Sequence, residues 1–483
     1  MKVLHVAAEC RPLLKTGGLA DVVAALPAAQ RTAGTDARVL LPGFPAILDA
    51  LRDKQRVGQL PSLFDAQSAV LWQGAHPAGF PLYVIEAPGL FDRAGNPYAD
   101  ANHHPYDDNH RRFALLGWVA AKIAAGFMPD WRPDVVHAHD WHAGLAAAYV
   151  RQAACSPTVA TVFTVHNLAY QGLFPARCHG ELGLPADYFH MDGLEFYGQL
   201  SFIKAGLVYS DRISAVSPSY AREIQTAEYG CGLDGLLSAR RDMLSGILNG
   251  VDEAEWDPAT DPHLPVHFHA GAQDGKAAAK VALQLEMGLE AQAGALLFGV
   301  VSRLTEQKGL SLLLAEAEHV AALGGQIALL GSGDVELEAG FRNLAKQHAG
   351  RIAVHIGFDE GLSHRIFAGA DVIVIPSRFE PCGLTQMYAQ RYGALPLVRR
   401  TGGLADTVND CSLENLADDS ASGFVFERFD VHDLHAAVRR AFTLYKDPAR
   451  WRQVVAHAMS LHHGWDKAAA SYLALYQSCN DDR

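Results

Sequence analysis

The stretch KTGGLADV, residues 15–22, returns near the other end of the chain as RTGGLADTV, residues 400–408. A basic residue, Thr, two Gly and then Leu-Ala-Asp stand in the same order twice. Either one ancestral unit was duplicated or two loops solve one physical problem. The first copy lies beyond a short apolar run, MKVLHVAAE, and precedes a helical pattern, ADVVAALPAAQRTA. The second follows the apolar run at 395–399. Each copy therefore reads as strand, glycine turn, helix. Two glycines permit turns and close approaches that a Cβ blocks. The free N–H groups opening the next helix favour an anion, and Lys15 adds a positive charge.

Working outward from the two copies, short apolar runs alternate with longer helical patterns. The first series places strands at 3–7, 37–41, 81–85, 135–138, 160–165 and 212–216. The second places them at 246–248, 296–301, 326–330, 352–357, 372–376 and 395–399. Continuous apolar strands separated by helices imply parallel sheets covered on both faces. Two series imply an α/β protein of two doubly wound, Rossmann-like domains. The switch is expected near SGILNGVDEAEWDP, 245–258, where Asn249-Gly250 marks a turn. The domains are thus 1–244 and 245–462, with a final helical segment at 463–483.

The chain has 483 residues, enough for two sizeable cores. Its net charge is −13, which argues against a nucleic-acid partner. No apolar run is long enough for a membrane span. Seven cysteines, scattered and without a Cys-x-x-Cys pair, fit reduced thiols in cytosol better than a disulfide framework or a zinc ribbon.

In open parallel sheets ligands sit at the carboxyl ends of strands, and the unusual residues of this chain fall there. In VVSRLTEQKGL, Arg303 and Lys308 follow a strand; together they could hold a diphosphate, Arg as a fork and Lys as a point charge. In IPSRFEPCGLTQMYAQRYG, residues 375–393, Gly383, Leu384 and Thr385 begin a helix and form another anion site. Glu380 beside it would be repelled by phosphates and suits sugar hydroxyls. Cys382 reads as a small packing residue rather than a nucleophile. In the first half, PDVVHAHDWHAG and VFTVHNLAYQG bring Asp140, Trp141, His166 and Asn167 to neighbouring strand ends. Polar groups beside an aromatic face are what a carbohydrate needs. The cluster of His137, His139, Asp140 and His142 lacks the spacing of a helical zinc site, so no metal is expected.

At these residues a family becomes visible. The chain resembles the bacterial glycogen synthases, the ADP-glucose-using branch shared with plant starch synthases. The resemblance runs over almost the whole chain through KTGGLADV, VHAHDWHAGL, FTVHNLAYQG, ILNGVDEAEWDP, VSRLTEQKGL, PSRFEPCGLTQMYA and TGGLADTV. It implies a GT-B fold, two Rossmann-like domains facing a cleft, with the last helix crossing back onto the first domain. It implies ADP-glucose and an α-1,4-glucan as partners, no cofactor, and a cytoplasmic enzyme. By position, Arg303 and Lys308 would grip the diphosphate, with Gly18 and the amides of Gly383, Leu384 and Thr385 completing the cradle. Lys15, Asp21 and Cys382 would lie by the donor, and Phe358 against the adenine where the family often has Tyr. Glu380, His166 and Asn249 would meet the sugar, His166 near its O6. Asp140, Trp141 and Asn167 would face the acceptor glucan. Related transferases often carry a second acid eight residues after the first; here that position is Tyr388.

Chemistry follows from charge. Breaking the bond from sugar C1 to ADP leaves an oxocarbenium-like sugar and a more negative phosphate, which cations and helix starts stabilise. The α-linkage is expected to be retained. Double displacement would need a carboxylate on the far face of the sugar; none stands out, so same-face attack is the preferred route. Closure of the domains about residues 244–250 would exclude water. Three rivals share the architecture: a pyridoxal-phosphate phosphorylase, whose chains are far longer; a sugar-nucleotide epimerase; and a silent glucan binder, which retention of Lys15, His166, Arg303, Lys308 and Glu380 argues against.

Overall fold

A computed structural model describes residues 1–155, 158–272 and 274–481. The chain divides into two compact units, one formed by residues 1–250 with 465–483, the other by 251–464.

The first unit is built on a nine-stranded sheet. Its order is Leu244–Gly246, Arg212–Ala215, Ala160–Val165, Val135–His139, Lys2–Val6, Asp36–Pro42, Pro81–Glu86, Ala69–Ala75, Arg52–Leu60. All pairs from Leu244–Gly246 to Pro81–Glu86 are parallel. Two antiparallel strands, Ala69–Ala75 and Arg52–Leu60, extend the edge. These two were not expected. Arg52–Leu60 is mostly exposed and polar, so it lacks the apolar signature of a buried strand. A small antiparallel sheet of Leu173–Pro175, Gln199–Ser201 and Glu195–Phe196 was likewise unsignalled, being made of strands of two or three residues.

The second unit has six parallel strands, ordered Ile352–Ile356, Gln326–Gly331, Leu297–Val301, Val372–Ile375, Leu395–Arg399, Phe424–Phe426. Five match the sequence expectation; the edge strand Phe424–Phe426 has only three residues. A single apolar core joins this sheet to its helices, from Leu297 and Ile373 to Val438 and Val455.

The expected domain break needs correction. The strand read at 246–248 as the start of the second series is Leu244–Gly246, and it pairs with Arg212–Ala215 in the first sheet. The first unit therefore continues to Gly250. A three-residue strand carries no pattern that says which sheet it joins. The final helix is Trp465–Asp481. Its Trp465, Ala469, Tyr472 and Tyr476 pack on Val3, Val22, Leu26, Val135 and Val162 of the first unit.

In both sheets the order reverses beside the first strand of the series. In the first unit Lys2–Val6 lies between Val135–His139 and Asp36–Pro42; in the second Leu297–Val301 lies between Val372–Ile375 and Gln326–Gly331. Connections leave opposite faces at such a point, and a crevice opens above the strand ends. The loops after these strands carry most of the residues singled out in the sequence, while His166 and Asn167 follow Ala160–Val165, Asn249 follows Leu244–Gly246 and Phe358 follows Ile352–Ile356.

Candidate active site

In the second unit the loop after Leu297–Val301 and the loop after Val372–Ile375 meet at the switch point. Gly309 permits the approach: its φ is +67°, and a Cβ there would lie 1.9 Å from the Pro376 carbonyl oxygen. Lys308 Nζ donates to both oxygens of Glu380, at 2.8 and 2.6 Å, and Ser377 Oγ donates to Oε2 at 2.9 Å. The sequence reading gave these two residues separate tasks; the structure ties buried Glu380 and half-buried Lys308 into one ion pair. Such a pair balances its own charge, so neither partner is an isolated charge in a low-dielectric pocket. Arg303 differs. Its side chain is exposed and meets no polar partner among the described residues.

After Glu380 the chain turns through Gly383 into the helix Thr385–Arg391, whose start no side chain caps. Those N–H groups are left for other acceptors. Buried Gln386 braces the turn, its Nε2 donating to the Cys382 and Gly383 carbonyls at 3.2 and 2.9 Å. Arg399 Nε donates to the Ser377 carbonyl at 3.0 Å and fixes the base of the same loop. Neither Gln386 nor Arg399 was picked out in the sequence, because nothing local marks a polar side chain that serves backbone far away. Cys382 is buried. Tyr388 stacks on Trp256 with centroids 3.8 Å apart, so packing takes the place of a second carboxylate. Phe358, after strand Ile352–Ile356, is 85 % exposed, unusual for a large apolar ring.

The second TGGLAD copy belongs to this scaffold. Gly402 has φ +44°, and a Cβ on it would stand 1.9 Å from the Glu380 carbonyl oxygen; one on Gly403 would stand 2.1 Å from that of Cys382. Gly403 N donates to the Glu380 carbonyl at 3.1 Å. These glycines exist so that one loop can lie against another.

In the first unit the first copy behaves differently. Around Gly17 and Gly18 an added Cβ would meet nothing within 4 Å. Both are exposed. The loop is held from below by Glu9, whose buried carboxylate accepts from Thr16 N and Oγ1 at 2.5 Å each, from Gly17 N at 3.3 Å, and from the Tyr98 hydroxyl. Lys15 Nζ lies 2.9 Å from Asp21 Oδ1. Glu9 was visible only as the acid that ends an apolar run, and Tyr98 not at all.

Asp140, His166 and Asn167 come together as expected. Asp140 Oδ1 accepts from His166 N at 2.9 Å and Asn167 N at 3.4 Å. Its backbone is strained, with φ +56° in a non-glycine residue. Burial pushes its carboxyl up to about 7, against the pull of those two N–H groups. Trp141 is half-buried in an aromatic nest with Phe113 and His142, and Gly172 lies flat against its ring. Asn249 is buried, and its Oδ1 has no hydrogen-bond partner among the described residues.

His166 leads inward. Its Nε2 lies 3.0 Å from His139 Nδ1, and His139 Nε2 lies 3.0 Å from His5 Nδ1. Burial drives His166 and His142 down to about 3 and His5 to about 4, and holds His137 and His139 well below the ordinary imidazole value. The rings of His5, His137 and His139 are close enough to share a metal ion. Every one of their nitrogens is instead committed to a hydrogen bond within the protein.

Set against known proteins, residues 2–239 match the starch synthase catalytic domain and 288–456 the glycosyl transferases group 1. The chain is 55 % identical over 479 residues to a glycogen synthase of Yersinia enterocolitica, covering 99 % of this chain and 100 % of that one. It is 53 % identical over 483 residues to a glycogen synthase of Francisella tularensis subsp. novicida, with 99 % of each covered. Among solved structures it superposes with a TM-score of 0.89 and 34 % identity, over 99 % of both chains, on the catalytic domain of starch synthase IV from Arabidopsis thaliana bound to ADP and acarbose. Its two parallel-sheet domains are of the GT-B glycosyltransferase kind, and the chain belongs to the glycogen synthase family.

Proposed function

We propose that the chain transfers glucose from ADP-glucose to the non-reducing end of an α-1,4-glucan, with retention at C1, in the cytoplasm. The observation that carries this reading is the convergence of Arg303, Lys308, Glu380 and an uncapped helix start on one topological switch point. Cations and N–H groups collected there suit a diphosphate, and a carboxylate beside them suits sugar hydroxyls. A starch synthase of matching fold was bound to ADP and acarbose, which fits the same pair of ligands.

In this reading the second unit holds the donor. Arg303, exposed and without a polar partner among the described residues, closes on the diphosphate, and the amides of Gly383, Leu384 and Thr385 receive its oxygens beside Cys382. Lys308 faces the phosphates while neutralising Glu380, which accepts from glucose hydroxyls. Phe358 offers its exposed face to the adenine, an advantage for a purine over a smaller pyrimidine. In the first unit the open glycines Gly17 and Gly18 let the phosphates approach backbone, with Lys15 and Asp21 alongside. Asn249 and His166 meet the sugar, and Asp140, Trp141 and Asn167 attend the glucan.

The chemical step needs stabilisation where charge grows, on the departing β-phosphate, and in this reading Arg303 and Lys308 supply it. Tyr388, stacked on Trp256, stands where related transferases often carry a second acid, so that position offers the sugar no carboxylate nucleophile. The leaving phosphate takes the acceptor hydroxyl's proton as that oxygen attacks C1 from the same face, so retention needs no covalent intermediate. The test is incorporation of labelled glucose into glycogen, with ADP-glucose and UDP-glucose in parallel. Labelling from ADP-glucose is expected. A preference for UDP-glucose would overturn the donor, a trapped glucosyl-enzyme adduct the same-face route, and no labelling from either the reaction itself.

A further inference from the structure

The buried histidines of the first sheet form part of one unbranched chain of hydrogen bonds. It runs Ser214 Oγ–Thr164 Oγ1, 2.6 Å; Thr164 Oγ1–His137 Nε2, 2.6 Å; His137 Nδ1–Tyr476 hydroxyl, 2.7 Å; Tyr476 hydroxyl–Gln30 Nε2, 3.0 Å. From Gln30 it continues Oε1–His5 Nε2, 2.8 Å; His5 Nδ1–His139 Nε2, 3.0 Å; His139 Nδ1–His166 Nε2, 3.0 Å. His5, His137, His139, Gln30 and Tyr476 are fully buried. The chain thus connects the final helix, which bears Tyr476, to the residue that opens the strand-end loop.

A neutral imidazole has one donor and one acceptor nitrogen, so fixing any ring in such a chain fixes them all. Only two proton arrangements exist, running in opposite directions. A charged His5, His137 or His139 would place two donors in the chain and break a link, and burial disfavours the charged form of all four rings, His166 at the chain's end included. The direction is chosen by Gln30, whose donor and acceptor are different atoms and cannot exchange by moving a proton.

Gln30 turns its carbonyl to His5 and its amide hydrogens to Tyr476. His5 must then donate from Nε2 and accept at Nδ1. His139 donates to it from Nε2 and accepts at Nδ1, so His166 donates from Nε2. On the other side Gln30 donates to Tyr476, which donates to His137, and His137 donates to Thr164. The ring of His166 is left with a bare lone pair on Nδ1, which no described residue engages.

We infer that Gln30 and Tyr476 are positioning residues for His166: through His5 and His139 they lock its ring in the Nε2–H form and present Nδ1 as an acceptor for a hydroxyl of the transferred sugar. This rests on the proposed function for the sugar, and on the hydrogen-bond chain alone for the tautomer. It gives the final helix a part in the reaction that no contact with substrate would reveal.

The test uses the full chain with 15N-labelled imidazoles. Tyr476→Phe removes one oxygen and keeps the packed ring. Gln30 then has no acceptor on that side, its amide loses its anchor, and His166 should populate both tautomers where the wild type shows Nδ1 bare. Turnover in glucan elongation should fall about tenfold, on the scale of a misplaced proton-transfer or hydrogen-bonding group, while KM for ADP-glucose stays within about twofold. Gln30→Met, which removes the amide itself, should reproduce both effects. A His166 that keeps its Nε2–H form in both variants, or a tautomer that moves with turnover unchanged, overturns the inference. If the wild type elongates no glucan yet the tautomer still moves, the reading of the reaction fails and the hold of the chain on His166 is upheld.

Discussion

The two TGGLAD copies are alike in sequence and opposite in use. At Gly402 and Gly403 the room for a Cβ is filled by the backbone of residues 380–382; at Gly17 and Gly18 it is empty. A glycine pair packed against its own protein is explained by the fold. A pair facing open space is not explained by the fold, and the proposed function explains it by substrate that comes to lie there. The same phrase thus builds a scaffold in one unit and, in the function proposed here, a landing surface in the other.

The comparison can be broken most violently at Gly402. Alanine there adds left-handed strain to a backbone overlap, together about 4 kcal/mol. The second unit should fail to unfold cooperatively by calorimetry, and activity should vanish with it. A stable, active Gly402→Ala would mean that the 380–383 loop is free to move and the scaffold reading is wrong.

Acid should separate the units next. Folded His5 titrates at about 4, His142 and His166 at about 3, and His137 and His139 below their ordinary value. Unfolded imidazoles bind protons from about pH 6.5, so this stability is full above that pH and is lost as pH falls toward 4 and below. Each fully buried ring forfeits about 2 kcal/mol between pH 6.5 and 5. Asp140, raised to about 7, works the other way as one group, gaining as pH falls toward the unfolded carboxyl value. In the second unit the one buried histidine among the described residues, His364, is paired with Asp261 at 2.7 Å. Hydrogen exchange at pH 5 should therefore show the first sheet opening before the second. The reverse order would contradict the assignment of neutral rings.

Smaller still are the two cations. Lys308→Ala strands a mostly buried Glu380 and should cost about 2 kcal/mol by denaturant titration, less than for a fully buried pair because Lys308 is partly exposed. Arg303→Ala should change stability by under about 0.5 kcal/mol yet lower turnover about 100-fold. Equal stability losses would show that Arg303 has a structural partner. Smallest is Phe358→Ala, with no measurable change in unfolding and an increase of several-fold in KM for ADP-glucose.

The sequence was informative where a residue acts beside its own strand. The parallel strands can be read from continuous apolar runs, and the strand ends then point to Arg303, Lys308, Glu380, Asp140 and His166. What stayed hidden were residues whose role depends on a distant partner. Glu9 holds Thr16 and Gly17 only because the chain turns back on itself. Arg399 serves the Ser377 carbonyl from the next strand. The histidine cluster looked like a doubtful metal site, because Gln30 and Tyr476, which use up its nitrogens, lie far away in sequence. The pairing of Leu244–Gly246 with the first sheet was beyond reach for a different reason: a strand of three residues has no periodicity to read.

The most direct test of the contrast is Gly18→Ala, read by thermal unfolding and by glucan labelling from ADP-glucose on the same sample. A Cβ there meets no protein atom and sits at the first residue of the helix Gly18–Thr32. Stability should hold or rise, by up to about 1 kcal/mol, while labelling falls at least about tenfold because the methyl occupies the space kept for substrate. Unchanged labelling in a folded Gly18→Ala protein would contradict the account, for then the open glycines of the first copy would face nothing.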